Sequence, residues 1–166
     1  MNLFTTLLLA TAASAAPLEK IFNLVTSGAS TSHNNGLYVT TESTGPLNSN
    51  AVLSTKANAA SFYFSNGTVH YEAPNGAPWA MALVSGSDYE DAVEISVDPT
   101  TGSEGFKIAK NGNLSVAQPS WGGWLVCTGE SDPAVYYVNT KATSGALKAG
   151  CEKVQLKAVT KTSSYT

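Results

Sequence analysis

The chain has 166 residues, of which 43% are hydrophobic and 13% are charged, and its formal net charge is −3. Its nine basic residues are all lysine. Nucleic-acid binding needs a clustered cationic face, normally with arginine, and recruitment to an anionic membrane needs a polybasic segment, so the composition excludes both classes of partner. The length suits one domain, which we expect to be a monomer.

The first residues are typical of a secretory signal peptide. Leu3-Phe4 and Leu7-Leu8-Leu9-Ala10 form a short apolar region, and Ala13-Ser14-Ala15 fits the small-x-small pattern of a cleavage site. The apolar region is shorter than the ~20 residues that span a membrane. We therefore predict that residues 1–15 are a signal peptide and that residues 16–166 form a single all-β domain.

The remaining chain has β-branched and aromatic residues in short runs separated by Gly, Pro, Asn and Ser. No segment keeps a helical period of apolar residues, so the pattern indicates an all-β fold. The runs predict twelve strands, at residues 21–25, 37–41, 51–55, 62–64, 68–72, 79–84, 92–97, 106–109, 114–117, 124–128, 134–139 and 154–159.

Asn66-Gly67 predicts a two-residue type I′ turn between the fourth and fifth strands. Pairing across this turn places two pairs on a side that we expect to face the core, Phe62 with Tyr71 and Phe64 with Val69. Tyr63 and His70 pair on the other side.

The turn signal recurs at Lys110-Asn111-Gly112. A three-residue loop there keeps the apolar side continuous, because it pairs Ile108 with Leu114 and Phe106 with Val116.

The strands divide into three sets of four, at residues 21–66, 67–111 and 112–158. Each set is about 45 residues long, which is the range of known repeat units. Leu37-Tyr38-Val39, Trp79-Ala80-Met81 and Trp124-Leu125-Val126 take corresponding places in the three sets. We predict a β-trefoil, a six-stranded barrel capped by three hairpins; a β-sandwich is the alternative.

Cys127 and Cys151 are the only cysteines, and an even number in an exported chain predicts a disulfide, with free or intermolecular thiols as the alternative. Together with the distant His33 and His70 they lack the spacing of metal ligands, so we expect no metal and no cofactor. Asn66-Gly67-Thr68 and Asn113-Leu114-Ser115 are N-glycosylation sequons at the two hairpin turns, and we predict glycans on Asn66 and Asn113.

No residue set predicts catalysis. A Gly-x-Ser-x-Gly motif is absent, and the acidic side chains Asp88, Glu90, Asp91 and Glu94 are so close in sequence that they are more typical of a solvated loop than of a catalytic pair. We expect a protein that is not an enzyme.

Aromatic residues are the candidates for ligand binding. Trp121 lies between Pro119 and the Gly122-Gly123 pair, and we expect it in a loop, either exposed or packed as a lid over the barrel. Exposed Trp and Tyr rings can stack on sugars while carboxylates bind their hydroxyls. We therefore predict a ligand site at Trp121, Asp88, Tyr89 and Asp91.

Several segments together resemble the PhiA-type cell-wall proteins of filamentous fungi and related sequences labelled IgE-binding. The segments are Phe-Tyr-Phe-Ser-Asn-Gly-Thr-Val-His-Tyr at 62–71, Gly-Phe-Lys-Ile at 105–108, Leu-Ser-Val at 114–116, Trp-Leu-Val-Cys at 124–127, Tyr-Tyr-Val at 136–138 and Gly-Cys-Glu at 150–152. The resemblance implies a Cys127 to Cys151 disulfide and a secreted or wall-associated protein without catalytic activity, sometimes allergenic.

The main functional hypothesis is a secreted fungal protein that binds cell-wall polysaccharide or contributes to wall structure. The alternative is a trefoil-type protease inhibitor or effector that binds a host or foreign protein. Such a protein would present Lys141 or Lys148, in the loop of residues 139–150.

Overall fold

A computed structural model describes residues 20–86, 88–97, 102–128, 133–142 and 146–161. The predicted signal peptide, residues 1–15, lies outside this part of the chain. The described residues form twelve strands, each of which overlaps a predicted strand. The strands are β1 (Phe22–Ser27), β2 (Tyr38–Ser43), β3 (Asn48–Ser54), β4 (Phe62–Ser65), β5 (Thr68–Glu72), β6 (Pro78–Leu83), β7 (Glu90–Ser96), β8 (Phe106–Ile108), β9 (Leu114–Val116), β10 (Trp121–Cys127), β11 (Ala134–Asn139) and β12 (Cys151–Thr160).

Two short 3-10 turns complete the described elements, Ser32–Asn34 between β1 and β2 and Lys56–Asn58 between β3 and β4. A helix long and apolar enough to cross a membrane does not occur among the described residues.

Nine strands close into an antiparallel barrel, which confirms the all-β prediction. Around the barrel the order of paired strands is β10, β12, β1, β4, β5, β6, β7, β3, β11 and again β10. A closed circuit differs from the two open sheets of the sandwich alternative. β8 and β9 form a separate ribbon that is joined to the barrel by the Phe106 N–H to Gly67 carbonyl bond (2.9 Å) and by a bridge between Asn113 and Lys157.

Three hairpins, β2–β3, β6–β7 and β10–β11, meet at one end of the molecule. Their second strands pair with one another in all three combinations, β3 with β7, β7 with β11 and β11 with β3. A backbone bond from the end of each second strand, or the residue after it, reaches the loop of the next hairpin: Leu53 N–H to Pro133 (2.7 Å), Val97 N–H to Leu47 (3.0 Å) and Asn139 N–H to Tyr89 (2.8 Å). The three hairpins are therefore held in equivalent ways.

Both predicted turns are confirmed. Asn66 and Gly67 have φ values of 49° and 81°, as a type I′ turn requires, and Gly112 has φ 88° in the three-residue loop. The facing residues agree with the predictions in both hairpins. One expectation is wrong: Phe64 is 37% exposed and not in the core. It is the third residue of the four-residue strand β4 and lies close to the strand's end at the Asn66-Gly67 turn.

Core residues from all three sets of strands fill the barrel. Among them are the large side chains of Phe22, Leu24, Phe62, Met81, Ile95, Phe106, Trp124, Tyr137 and Leu156. Each of the three hairpins contains a buried facing pair: Val39 with Leu53 in β2–β3, Met81 with Ile95 in β6–β7, and Trp124 with Tyr137 in β10–β11. When these pairs are aligned, Trp124 takes the place of Met81, which is two positions away from the predicted correspondence with Trp79.

The start of β10 explains that shift. A β-bulge lies between Trp121, which faces Asn139, and Trp124, which faces Tyr137. The bulge contains Gly122, where a Cβ would lie 2.7 Å from Thr140 and 2.8 Å from Val138. A larger residue at this position would have to displace these two side chains. Because the bulge adds one residue, Trp121 occupies the position in β10 that Trp79 occupies in β6.

The disulfide between Cys127 and Cys151 joins β10 to β12. These two cysteines face each other in neighbouring strands, at the ends of both. The predicted pairing is confirmed, and no free cysteine remains.

Candidate functional site

The β6–β7 loop, which holds most of the predicted ligand residues, lies beside the start of β10 and the end of β11. Asp91 is buried, and its Oδ2 accepts hydrogen bonds from the Asn139 side-chain amide (2.8 Å), the Gly86 N–H (3.0 Å) and the Tyr137 hydroxyl (3.4 Å). Burial and the neighbouring Asp91 carboxylate raise the pKa of Tyr137 to about 12. Asp91 therefore joins β7 to β11 and to the loop at Gly86 rather than presenting its carboxylate to solvent.

The neighbouring acidic residues bind a lysine. Glu90 is buried, and its side chain accepts the Lys148 N–H (2.7 Å). The Lys148 ammonium lies 3.6 Å from Glu90 and 3.5 Å from the exposed Asp88, and the Asp88 charge raises the pKa of Lys148. Both lysines considered for contact with a protein partner, Lys141 and Lys148, are exposed, and Lys148 is paired with the acidic side chains Asp88 and Glu90.

A cavity of about 350 Å³ lies above Asp91, and we call it the Asp91 cavity. It is lined by Ser85, Gly86, Ser120, Tyr137, Asn139, Lys141 and Ala142. None of the four predicted ligand residues lines it, although Trp121 is adjacent to Ser120, and Tyr89 and Asp91 are hydrogen-bonded to residues that do. Asp88 is bonded to Lys148, outside the lining. Sequence reasoning missed Tyr137 and Asn139 because they read as ordinary strand residues.

Trp121 belongs to β10, so its predicted place in a loop is wrong. It is half-buried and packs edge-on against Trp124, with ring centres 5.5 Å apart. Its indole nitrogen is buried and has no hydrogen-bond partner. Of the two predicted arrangements, this packing is nearer to the lid, and the role of Trp121 in ligand binding stays a prediction.

A second, more open space contains the aromatic pair that the sequence analysis assigned to strands. Tyr71 and Trp79 face each other across the β5–β6 hairpin, and both are half-buried against the core. Around them is a groove of about 440 Å³, the Tyr71/Trp79 groove. It is lined by Thr41, Ser43, Gly45, Pro46, Ser49, Tyr71, Ala73, Pro74, Asn75 and Trp79.

The groove is built from two turns. The loop between β2 and β3 supplies one wall, and the turn of residues 73–77 supplies the other, where the Asn75 side-chain oxygen accepts the Ala77 N–H (3.1 Å). The sequence signal for this site is that Tyr71 and Trp79 flank a turn that contains Pro and Gly, so that a hairpin there can place the two rings opposite each other. It was missed because aromatic residues at strand positions were assigned to the core.

The two sequon asparagines differ in their surroundings. Asn66 is exposed in its turn, whereas the Asn113 side-chain amide donates to Gln155 (2.9 Å). Glycosylation of both stays a prediction.

No curated protein matches this chain, and no solved structure matches it. A family model described as a domain of unknown function, DUF7907, matches residues 19–160. This range contains every described strand, the Asp91 cavity and the Tyr71/Trp79 groove. The chain therefore belongs to the DUF7907 family.

Proposed function

We propose that this protein is a secreted, non-enzymatic protein that binds carbohydrate in the cell wall of a filamentous fungus, and that the Tyr71/Trp79 groove contacts the sugar. The resemblance to PhiA-type proteins and the predicted signal peptide at residues 1–15 support the location. The observation that carries the proposal is the pair of facing, half-buried aromatic rings in an open groove with polar walls.

The chemistry of the groove suits a neutral sugar. Tyr and Trp rings offer apolar faces to the C–H groups of a pyranose and can also donate hydrogen bonds. The hydroxyls of Thr41, Ser43 and Ser49 line the facing wall. Asn75 is held by its bond to the Ala77 N–H, which leaves its amide nitrogen to donate to a sugar hydroxyl.

We also propose that the twelve strands together form a β-trefoil, whose six-stranded barrel is a different set from the nine-strand circuit. Its six barrel strands would be β1, β4, β5, β8, β9 and β12. Support comes from the pairs β1–β4, β4–β5, β8–β9 and β12–β1, with the contacts of β8 to Gly67 and of Asn113 to Lys157 joining the remaining neighbours. The three mutually paired hairpins would be the cap.

In a trefoil, Trp79 and Trp121 take corresponding positions in the second and third units. Each lies just ahead of a buried capping residue, Met81 or Trp124, and each is half-buried against the core. The predicted ligand residue Trp121 is thus the counterpart of Trp79. Trp79 is the better sugar contact because it lines an open groove with a second ring.

Binding to β-glucan, chitin and a glycan array tests the proposal. We expect Trp79→Ala to weaken binding about tenfold or more, the effect of losing one well-placed aromatic contact. Trp121→Ala is the matched control and should bind like the parent protein. Thermal unfolding of both variants checks that they remain folded.

The other outcomes are equally informative. Loss of binding in Trp121→Ala alone would move the sugar contact to the third unit. A folded parent protein that binds no glycan, and that stays in the medium when fungal walls are fractionated, would overturn the carbohydrate function.

A further inference from the structure

A third cavity, of about 380 Å³, lies between β1, the turn of Lys56–Asn58 and the end of β12. We call it the Lys56/Lys161 groove. It is lined by Asn23, Tyr38, Lys56, Ala57, Ala59, Val159, Thr160 and Lys161. It shares no lining residue with the Tyr71/Trp79 groove, so whatever it binds is independent of the function proposed above.

Two cations and no carboxylate line this groove. Lys161 is fixed by its backbone N–H, which donates to Ile21 (3.0 Å), and by its ammonium, which donates to Ser61 (2.8 Å). Lys56, in the turn of Lys56–Asn58, is exposed. Across the described part of the chain, the ion pairs involve Lys148 alone, so neither lysine of the groove is neutralised by an acidic side chain.

The floor of the groove is polar and ordered. Asn23 is buried, and its amide donates to the Ala60 carbonyl (2.7 Å), which fixes the side chain in the wall. Tyr38 and Thr160 add hydroxyl groups. Neutral hydrogen-bonding groups therefore lie beside the two charges, as they would for a ligand that carries both an anionic group and hydroxyls.

The positive charge continues along β12. Lys153, Lys157 and Lys161 alternate with the buried Val154 and Leu156, so the three lysines point outward from one strand or its end. Successive lysines are about 13 Å apart, since a strand rises about 3.3 Å per residue. Glu152 lies on the inward side of the alternation and is occupied by the Asn34 amide.

We propose that the Lys56/Lys161 groove and the lysines of β12 bind an anionic glycan, a polysaccharide whose sugars carry carboxylate or phosphate groups. Lys56 and Lys161 bind one anionic group, Asn23, Tyr38 and Thr160 bind hydroxyls of the same sugar, and Lys157 and Lys153 bind later anionic groups. Lys56 and Lys161 are far apart in sequence, and both line the groove in the folded chain.

A glycan fits this surface better than a nucleic acid does. The chain has no arginine, which supplies most base and bidentate phosphate contacts. Tyr38 is the only ring in the groove, whereas single-strand binding uses several stacked rings.

Equilibrium binding of the secreted protein at low and physiological salt tests the proposal. The probes are an oligogalacturonate, the same oligosaccharide fully methyl-esterified, a phosphorylated mannan oligosaccharide, and a single-stranded DNA of equal charge. We expect Lys56→Gln/Lys161→Gln to weaken binding of one of the anionic glycans about tenfold or more, as expected for loss of two charge-assisted contacts. The carboxylate and phosphate probes show which anion is preferred.

Lys107→Gln/Lys141→Gln is the control, because it makes the same change in net charge with exposed lysines outside the groove. It should change affinity less than twofold, and Trp79→Ala should leave binding of the anionic glycan unchanged. If both lysine double variants weakened binding equally, net charge alone would explain the effect, and the proposed site would be overturned. Equal affinity for the methyl ester or for DNA, or no binding of any charged glycan, would overturn it as well.

Discussion

The side-chain amide of Asn34 donates a 2.6 Å hydrogen bond to Glu152, which joins the turn after β1 to the start of β12. The second carboxylate oxygen of Glu152 accepts the Thr31 N–H (3.1 Å). The bond from Asn34, followed by that from Thr31, favours the ionised carboxylate and lowers the pKa of Glu152 to about 2. One ionised side chain therefore holds the loop that precedes β2, next to the disulfide.

We expect Glu152→Gln to loosen this loop and to lower the melting temperature at neutral pH. Because the pKa of Glu152 is lower in the folded state than its ordinary value of 4.5, the stabilisation is fully present above pH 4.5 and is lost as the pH falls through about 2. Thermal unfolding across this range should show the parent protein and the variant converging. The amide resonances of Thr31 and Asn34 report the same change.

Glu72→Gln is a suitable control, because it makes the same side-chain change at an exposed position in β5, away from Asn34 and Thr31. Its melting temperature should follow that of the parent protein at every pH. A gap between parent protein and Glu152→Gln that stays constant down to pH 2 would contradict the prediction.

Local signals in the sequence predicted most of the fold. Asn66-Gly67 specified a turn and, through it, the register of β4 and β5, since a two-residue loop allows one pairing. The apolar continuity from Phe106 to Val116 selected the three-residue loop in the same way. These features depend on residues a few positions apart, which the sequence shows directly.

The candidate sites depend on distant residues and were predicted less well. The sequence pattern around Asp91 is typical of a solvated acidic loop. In the structure two of the three donors to its carboxylate, Tyr137 and Asn139, lie in β11, which no local sequence pattern indicates. Trp121 was placed in a loop because Gly122-Gly123 resembles a hinge, whereas the glycines form a bulge within β10. Lys56 and Lys161 line one groove although they are far apart in sequence.

Removing the disulfide should cost stability without changing the fold. Cys127 and Cys151 are 24 residues apart, and loop-closure entropy predicts that Cys127→Ala/Cys151→Ala lowers the free energy of unfolding by about 3 kcal/mol. Denaturant unfolding of parent protein and variant measures this. The parent protein treated with a reductant should unfold like the variant, and equal midpoints for oxidised and reduced protein would contradict the prediction.

Asp91 should matter more for stability than the nearby, exposed Asp88. Asp91→Ala removes the carboxylate that accepts from Asn139, Tyr137 and Gly86, and it leaves Tyr137 only its bond to the Val84 carbonyl (3.0 Å) and Asn139 only its longer bond to the Gly86 carbonyl (3.3 Å). The loss of these charge-assisted bonds should lower the free energy of unfolding by about 3 kcal/mol. Asp88→Ala removes the same charge from an exposed side chain whose ion pair with Lys148 is solvated, and should cost less than about 1 kcal/mol. Similar losses in the two variants would show that Asp91 acts by its charge alone.

The turn before β12 should accept only glycine at position 150. Gly150 has φ 85°, and a Cβ there would lie 2.6 Å from the Thr128 carbonyl oxygen, so Gly150→Ala combines backbone strain with a backbone clash. We expect the free energy of unfolding to fall by about 2 kcal/mol or more. Gly45→Ala is the control, because a Cβ at Gly45 meets nothing within 4 Å and φ lies outside the left-handed region. Denaturant unfolding should therefore separate the two variants, and equal midpoints would show that the Gly150 turn can rearrange without loss.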